Sequence, residues 1–220
     1  MKKLFGLILI ALSLNCFAAE YSVQWTPEIS LSTLADIPSL LEREVGEVQY
    51  TNGKDSQIAK TCNEYFKLTK AGYYPQDNMQ IAAESFFKKN CDALVALQQA
   101  QPAKSSFVRN FNLQKDYGLL PASVIFPNLA EKNSPPGDLK IAYPDTEIKV
   151  LNPYSVELMS KKAAMKSIVS ILGWGDFNQD GYDDILMFIA NYVLDGTYHS
   201  YSIFLLTRKN ADAPLLLITR

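Results

Sequence analysis

Residues 175–193 read Gly-Asp-Phe-Asn-Gln-Asp-Gly-Tyr-Asp-Asp-Ile-Leu-Met-Phe-Ile-Ala-Asn-Tyr-Val, a polar loop that runs directly into an apolar segment. In that segment, residues 185–193, both alternating sets of side chains are largely hydrophobic. A strand with two apolar faces has to be covered on both faces by other parts of the protein. The segment therefore predicts a strand in a sheet that is buried on both sides.

The polar loop has the spacing of a calcium-binding loop. Its side-chain oxygen donors recur at loop positions 1, 3, 5 and 9, which are Asp176, Asn178, Asp180 and Asp184. Oxygens at alternating positions converge on one point when the backbone coils around it, and Gly181 at position 6 permits the sharp turn. At position 7, the backbone carbonyl of Tyr182 would add a ligand. The same residue types also suit a polar Asx-type turn that binds no metal.

The residues after the loop distinguish between two kinds of calcium loop. An EF-hand needs a bidentate glutamate at position 12, where this chain has Met187. The loop and its aliphatic strand instead resemble the FG-GAP or VCBS type of calcium loop, as in the blades of integrin α propellers. The resemblance covers residues 174–193 in a single copy. It implies Ca²⁺ held by the side chains of the residues at loop positions 1, 3, 5 and 9.

The first 18 residues have the pattern of a secretory signal peptide. Two lysines precede an apolar run, residues 4–14, that is too short to span a membrane as a helix. Cleavage after Ala18 would export the chain to a bacterial periplasm or to the exterior, with no stable membrane insertion afterwards. Lipidation of Cys16 is the alternative, although the residues before it do not follow the lipoprotein pattern.

The charge of the chain limits its partners. The formal net charge is −2, and removal of the two signal lysines would make it more negative. No basic block and no alternation of aromatic and basic residues is present, so nucleic acid and anionic membrane are poor partners. An envelope protein or glycan is the expected partner of an exported acidic domain.

Two cysteines remain after the signal peptide, Cys62 and Cys91. In an oxidising compartment an even number of cysteines predicts a disulfide, here closing a loop of about 30 residues. Buried free thiols, or a metal or redox pair, are the alternatives, and the absence of a C-x-x-C motif disfavours redox catalysis.

The region before residue 106 has the patterns of helices. One helix is predicted from Asp55 or Ser56 to Lys70, after a short strand near Tyr50, and a longer one from Asp77 to about Gln99. These two helices would form a hairpin linked by the disulfide. Residues 19–105 are therefore predicted to be a mainly helical region.

The region after residue 105 has the patterns of strands. Residues 106–144 show no clear period and predict loop with one or two short strands. Further strands are predicted at residues 147–151, 155–159, 165–172, 185–193, 198–207 and 215–219. The predicted fold is α+β: an N-terminal helical hairpin packed on a C-terminal antiparallel sheet that carries the calcium loop, in one compact unit.

Catalytic motifs are not found in the sequence. His199 is the only histidine, and no G-x-S-x-G motif or phosphate-binding glycine loop occurs. Asp183, at loop position 8, is expected to point outward. The sequence thus predicts a calcium-stabilised, non-catalytic binding protein of the envelope, and the alternative is an envelope hydrolase with an acidic site that no motif reveals.

Overall fold

A computed structural model of the chain describes residues 20–127 and 137–218. The predicted signal peptide, its cleavage site and Cys16 lie outside these residues. The described part of the chain is mostly β-structure, arranged in two antiparallel sheets. Within it, no helix has both the length and the apolar character that crossing a membrane requires.

The elements follow the chain in this order. The strands are β1 (Gln24–Trp25), β2 (Glu44–Thr51), β3 (Ser56–Thr61), β4 (Tyr74–Pro75), β5 (Glu147–Asn152), β6 (Ser155–Ser160), β7 (Met165–Gly175), β8 (Asp184–Val193), β9 (His199–Thr207) and β10 (Leu216–Leu217). The α-helices are α1 (Ile37–Glu42), α2 (Cys62–Lys70), α3 (Asn78–Phe87), α4 (Ala93–Gln99), α5 (Leu113–Asp116), α6 (Ala122–Ile125) and α7 (Leu139–Ala142). A π-helical turn, Lys88–Asp92, joins α3 to α4.

The larger sheet has seven strands, six of them in the order β10-β9-β8-β7-β6-β5. Consecutive strands from β5 to β9 are antiparallel neighbours, because the short connections return the chain alongside itself. β1 pairs with the far end of β7, where Gln24 lies opposite Trp174. Each of the six strands predicted between residues 147 and 219 has its counterpart, so the prediction of a C-terminal antiparallel sheet is confirmed.

The two faces of this sheet contribute to two separate cores. In β8, the first core receives Leu186, Phe188 and Ala190, and the second receives Ile185, Met187 and Ile189. Residues between 29 and 100 cover the first face, and residues between 108 and 143 cover the second. The sheet is therefore buried on both sides, as the two apolar faces of β8 predict.

The prediction of an N-terminal helical hairpin is wrong. Residues 44–61 form the hairpin β2–β3, which with β4 makes a second, three-stranded sheet. The helix begins only at Cys62, because Thr61 caps it: the Thr61 hydroxyl accepts from the Glu64 amide at 3.2 Å, and the Glu64 carboxylate accepts from the Thr61 amide at 3.0 Å. This capping box specifies the start of a helix, and the residues before it are free to pair with β2. The α+β class with a helical hairpin is accordingly replaced by a mostly β fold.

The other helix predictions have mixed outcomes. The helix predicted from Asp77 is present as α3, the π-helical turn and α4, and the Asp77 side chain caps it by accepting from the Met79 and Gln80 amides. The sequence predicts loop with one or two short strands between residues 106 and 144, whereas the described parts of this range, 106–127 and 137–144, form the short helices α5, α6 and α7.

The predicted disulfide joins Cys62 to Cys91, with the two Cα atoms 5.3 Å apart. Both cysteines are fully buried in the first core. The bond links the first residue of α2 to the π-helical turn, and so fastens the three-stranded sheet to the helix that covers the larger sheet. A crosslink of this length restricts the unfolded chain and stabilises the fold by roughly 3–4 kcal/mol.

Candidate metal-binding loop

The loop of residues 176–183 connects β7 to β8 at one end of the larger sheet. Two of its residues have left-handed backbone conformations, Gln179 with φ of 61° and Gly181 with φ of 87°. Glycine adopts this conformation without steric cost, which explains its place at the sharpest bend. The polar sequence therefore forms a tight coil and not an extended connection.

Hydrogen bonds fold the backbone of this loop around its own side chains. The Asp176 carboxylate accepts from the Asp180 amide at 3.1 Å and from the Gly181 amide at 2.7 Å. The Asn178 side-chain oxygen also accepts from the Asp180 amide, at 3.1 Å, and Asp180 Oδ1 accepts from the Tyr182 amide at 2.9 Å. Loop positions 1, 3 and 5 are thus held together by nested side-chain-to-backbone bonds.

Asp184, at loop position 9, is the most unusual acid of the loop. It is 0% exposed, its Oδ2 accepts from the Phe177 amide at 3.0 Å, and its Oδ1 has no hydrogen-bond partner. Burial raises the pKa of Asp184 to about 7, and the negative charges of Asp180 and Asp176 act in the same direction. The hydroxyl of Thr207, opposite Asp184 in β9, and the amide of Phe177 act in the opposite direction and limit the rise of this pKa. Neither the Thr207 hydroxyl nor Asp184 Oδ1, however, makes a hydrogen bond of regular geometry.

A lysine stands beside Asp180, at loop position 5. The Lys209 ammonium lies 3.1 Å from Asp180 Oδ2, and the same oxygen accepts from the Asn178 amide at 3.2 Å. Partial burial by itself would raise the pKa of Asp180, but the hydrogen bonds from the Tyr182 amide and from Lys209 outweigh it and hold the pKa below its ordinary value. The loop therefore already has one positive charge next to its acids.

The tyrosine at loop position 7 packs on the outside of the loop. The Tyr182 ring stacks on Phe107 with the ring centroids 6.2 Å apart, and the Lys209 ammonium lies 5.8 Å from its centroid. The structure thus brings the five predicted ligand residues into one coil. Within residues 20–127 and 137–218, however, no three His, Cys, Asp or Glu side chains are grouped closely enough to hold a metal ion as they stand.

Asp183 does not point outward as expected but is 0% exposed. It forms a two-pronged ion pair with Arg109, whose Nε contacts Asp183 Oδ2 and whose Nη2 donates to Oδ1 at 3.0 Å. The Ser106 hydroxyl donates to Oδ2 at 3.0 Å, and Arg109 Nη2 also donates to the Ser22 carbonyl at 2.6 Å. Strand alternation after the loop was the available signal, because adjacent residues at the start of a buried strand point to opposite covered faces.

The segment of residues 101–105 holds the loop through backbone bonds. Gln101 and Asp176 exchange two amide-to-carbonyl bonds, of 2.9 and 3.0 Å, and the Lys104 amide donates to the Gly181 carbonyl at 2.9 Å. Together with the Arg109 ion pair, these bonds join the loop to the segment that leads into the cover of the second core. Nothing in the local sequence pattern indicates this contact.

Comparison with models of known protein families, with characterised proteins and with solved structures finds no significant match. The FG-GAP or VCBS resemblance and the calcium ligands therefore stay predictions from the residues. The function has to be argued from the loop and its neighbours.

Proposed function

We propose that the loop of residues 176–184 binds Ca²⁺ and that the chain is an exported, non-catalytic binding protein of the bacterial envelope. The observation that carries the calcium site is Asp184 Oδ1, a carboxylate oxygen that is buried without a partner beside two other acids. An unpaired buried oxygen costs about 1–3 kcal/mol, and more when it is charged. A divalent cation relieves both this penalty and the repulsion between the acids.

The donor set fits a hard cation. Asp176, Asp180 and Asp184 supply carboxylates, Asn178 supplies an amide oxygen and Tyr182 a backbone carbonyl, and Ca²⁺ takes six to eight such oxygens. The amides that donate to Asp176 and Asn178 orient these side chains, and the oxygens keep further lone pairs for a ligand. Water or a bidentate carboxylate would complete the shell.

In the metal-free loop, Lys209 occupies a carboxylate that the proposed metal-bound loop would need. Asp180 has to exchange the Lys209 ammonium for the cation before three carboxylates can meet. A competing metal-free arrangement also exists, because the Thr207 hydroxyl lies near enough to Asp184 to lower its pKa and could donate to its carboxylate in place of a metal. Bound Ca²⁺ would neutralise the acids and fix the end of β7 to the start of β8, which is a structural contribution.

The binding role is supported by the aromatic surface near the turn between β8 and β9. Tyr198 is 47% exposed, and Tyr192 and Tyr201, which are partly buried against the first core, form an edge-to-face pair with centroids 6.2 Å apart. Aromatic residues are enriched at recognition surfaces. Four cavities on the described surface measure about 200 to 490 Å³, and none of these four is lined by the two carboxylates that would support the hydrolase alternative.

Thermal unfolding of the exported chain tests the calcium site. Sites of the extracellular type bind at roughly 10⁻⁴–10⁻³ M, and Ca²⁺ at about 100 times the dissociation constant adds about 2.7 kcal/mol to the free energy of unfolding. We therefore expect the melting temperature to rise by about 5–10 °C in Ca²⁺ relative to EDTA, and by less in Mg²⁺. Asp180→Asn should abolish the rise, whereas Asp195→Asn, in the turn at the other end of the sheet, should leave it unchanged.

The calcium proposal fails if the wild-type melting temperature is the same in Ca²⁺ and EDTA. The Asx-type turn, with Thr207 bonded to Asp184, is then the correct description of the loop. Capture of proteins or glycans from envelope extract by the exported chain, with and without Ca²⁺, tests the binding role separately.

A further inference from the structure

A cleft of about 410 Å³ opens beside the loop, next to the end of β9. The side chains that line it include Tyr21, Ser106, Phe107, Arg109, Asn110 and Arg208. The lining contains two arginines and no acidic residue. The Arg109 charge is balanced by Asp183, so any net positive charge at the cleft comes from Arg208, in a protein whose overall charge is negative.

The two arginines differ in what their guanidinium groups already bind. Arg109 is engaged by both carboxylate oxygens of Asp183 and by the Ser22 carbonyl. Arg208 makes no ion pair with a carboxylate of the described residues, and its Nε is buried without a hydrogen-bond partner. A guanidinium stays charged at any pH that proteins tolerate and has five N–H donors. Arg208 is thus a permanent cation at the wall of the cleft, with no carboxylate partner among the described residues.

Two acids of the neighbouring loop have other partners than Arg208. Asp183 is bound by Arg109, and Asp180 is paired with Lys209, the residue that follows Arg208. One free guanidinium matches the single negative charge of a planar carboxylate, to which it can donate two parallel bonds. A phosphate carries about −1.5 to −2 charges at neutral pH and would call for a second free cation.

The rest of the cleft suits a sugar ring. Phe107 is 38% exposed and offers an apolar ring, and Asn110 offers an amide that can both donate to and accept from hydroxyl groups. Apolar walls with a few polar groups that fix orientation are typical of small-ligand sites. A peptide carboxyl terminus is instead captured as a rule by successive backbone amides, whereas the free donor here is a side chain.

We propose that this cleft binds an acidic sugar, with its carboxylate on the Arg208 guanidinium and its ring against Phe107. The inference rests on the binding role proposed above and deepens it by naming a glycan as the ligand, but it needs no calcium. It assigns a ligand chemistry, a uronic acid unit, to one defined place on the molecule.

Calorimetric titration of the exported chain with a galacturonate trisaccharide, in EDTA and again in Ca²⁺, tests the proposal. We expect binding in both conditions, weakened about tenfold or more by Arg208→Gln and less by Arg208→Lys. Arg43→Gln removes the same charge outside the cleft and should leave the affinity unchanged. The methyl ester of the trisaccharide, which has no charge, should bind as weakly to the wild type as the acid binds to Arg208→Gln.

Three results would overturn the proposal. The first is an affinity that Arg208→Gln leaves unchanged, and the second is equal binding of the acid and its methyl ester. The third is tighter binding of inorganic phosphate, or of a short peptide with a free carboxyl terminus, than of the trisaccharide. If Arg208→Gln does not fold, the comparison of acid and ester on the wild type still decides. If the wild type does not bind the trisaccharide but its melting temperature still rises in Ca²⁺, the acidic-sugar cleft is rejected and the calcium loop is not.

Discussion

The two faces of the larger sheet are covered by different means. The first face is packed by the long helical stretch of residues 78–99 and the three-stranded sheet, which the disulfide joins. The second face is packed by α5, α6 and α7, each four residues long. Helices this short have almost no stability of their own. The first cover is therefore stabilised partly by its own long helical stretch and disulfide. The short helices of the second cover depend instead on their contacts with the sheet.

The contacts that attach the second cover converge on the loop between β7 and β8. The Arg109–Asp183 ion pair and the backbone bonds from residues 101–105 fix the chain just before it enters the second core. The first cover is also attached to the sheet, since Lys89 pairs with Glu28 and Glu28 accepts from Asn152 at the end of β5, but it has in addition a crosslink that restricts the unfolded chain. Variants that remove each kind of attachment should therefore affect different parts of the molecule.

The largest effect is expected from Arg109→Gln. It leaves the Asp183 carboxylate buried without its cation, which typically costs about 3–5 kcal/mol in the free energy of unfolding. Urea unfolding measures the loss, and hydrogen exchange should show it first in residues 106–126. Lys60→Met, which removes an exposed ion pair with Glu47, is the control and should cost about 0–1 kcal/mol.

A double variant sharpens this test. Arg109→Met combined with Asp183→Leu removes both charges, and it should recover much of the stability that Arg109→Gln loses. Equal stability of Arg109→Gln and Lys60→Met would show that the second cover is not attached through this pair.

The next largest effect is expected from Cys62→Ala combined with Cys91→Ala. Loss of the crosslink should lower the free energy of unfolding by roughly 3–4 kcal/mol, because the unfolded chain gains conformational freedom. Reductant should reproduce the loss in the wild type and have no effect on the double variant. Protection of residues 44–70 against hydrogen exchange should fall before that of residues 106–126, and the reverse order would contradict the distinction between the two covers.

The smallest effect is expected from Lys209→Met. In the calcium site proposed above, the ammonium would compete with the cation for Asp180; because the lysine side chain is 55% exposed, its removal should tighten Ca²⁺ binding only about two- to fivefold. Titration of the melting temperature with Ca²⁺ measures the change, with Lys54→Met as a control for the lost charge. Weaker Ca²⁺ binding in Lys209→Met would show that this lysine supports the site instead of competing with the metal.

The residue pattern was sufficient where the deciding interactions are local. Alternation, apolar runs and turn residues predicted β5 to β9 within a few residues of their ends, and the two apolar faces of β8 predicted a cover on each side. The cysteine count, together with the predicted oxidising compartment, predicted the disulfide. The spacing of loop oxygens predicted which side chains would share one coil, because that coil is built from bonds between residues at most seven positions apart.

Only the tertiary structure decided the features that depend on distant partners. Residues 56–61 are compatible with a helix by composition, and they are a strand because β2 lies beside them. Asp183 is buried because Arg109, 74 positions earlier in the chain, brings a guanidinium to it. Burial of a charge is unfavourable unless a counter-charge is already in place, and that condition is met by the packing of the second cover on the sheet. No local pattern of residues contains this information, since it belongs to the pair and not to either residue.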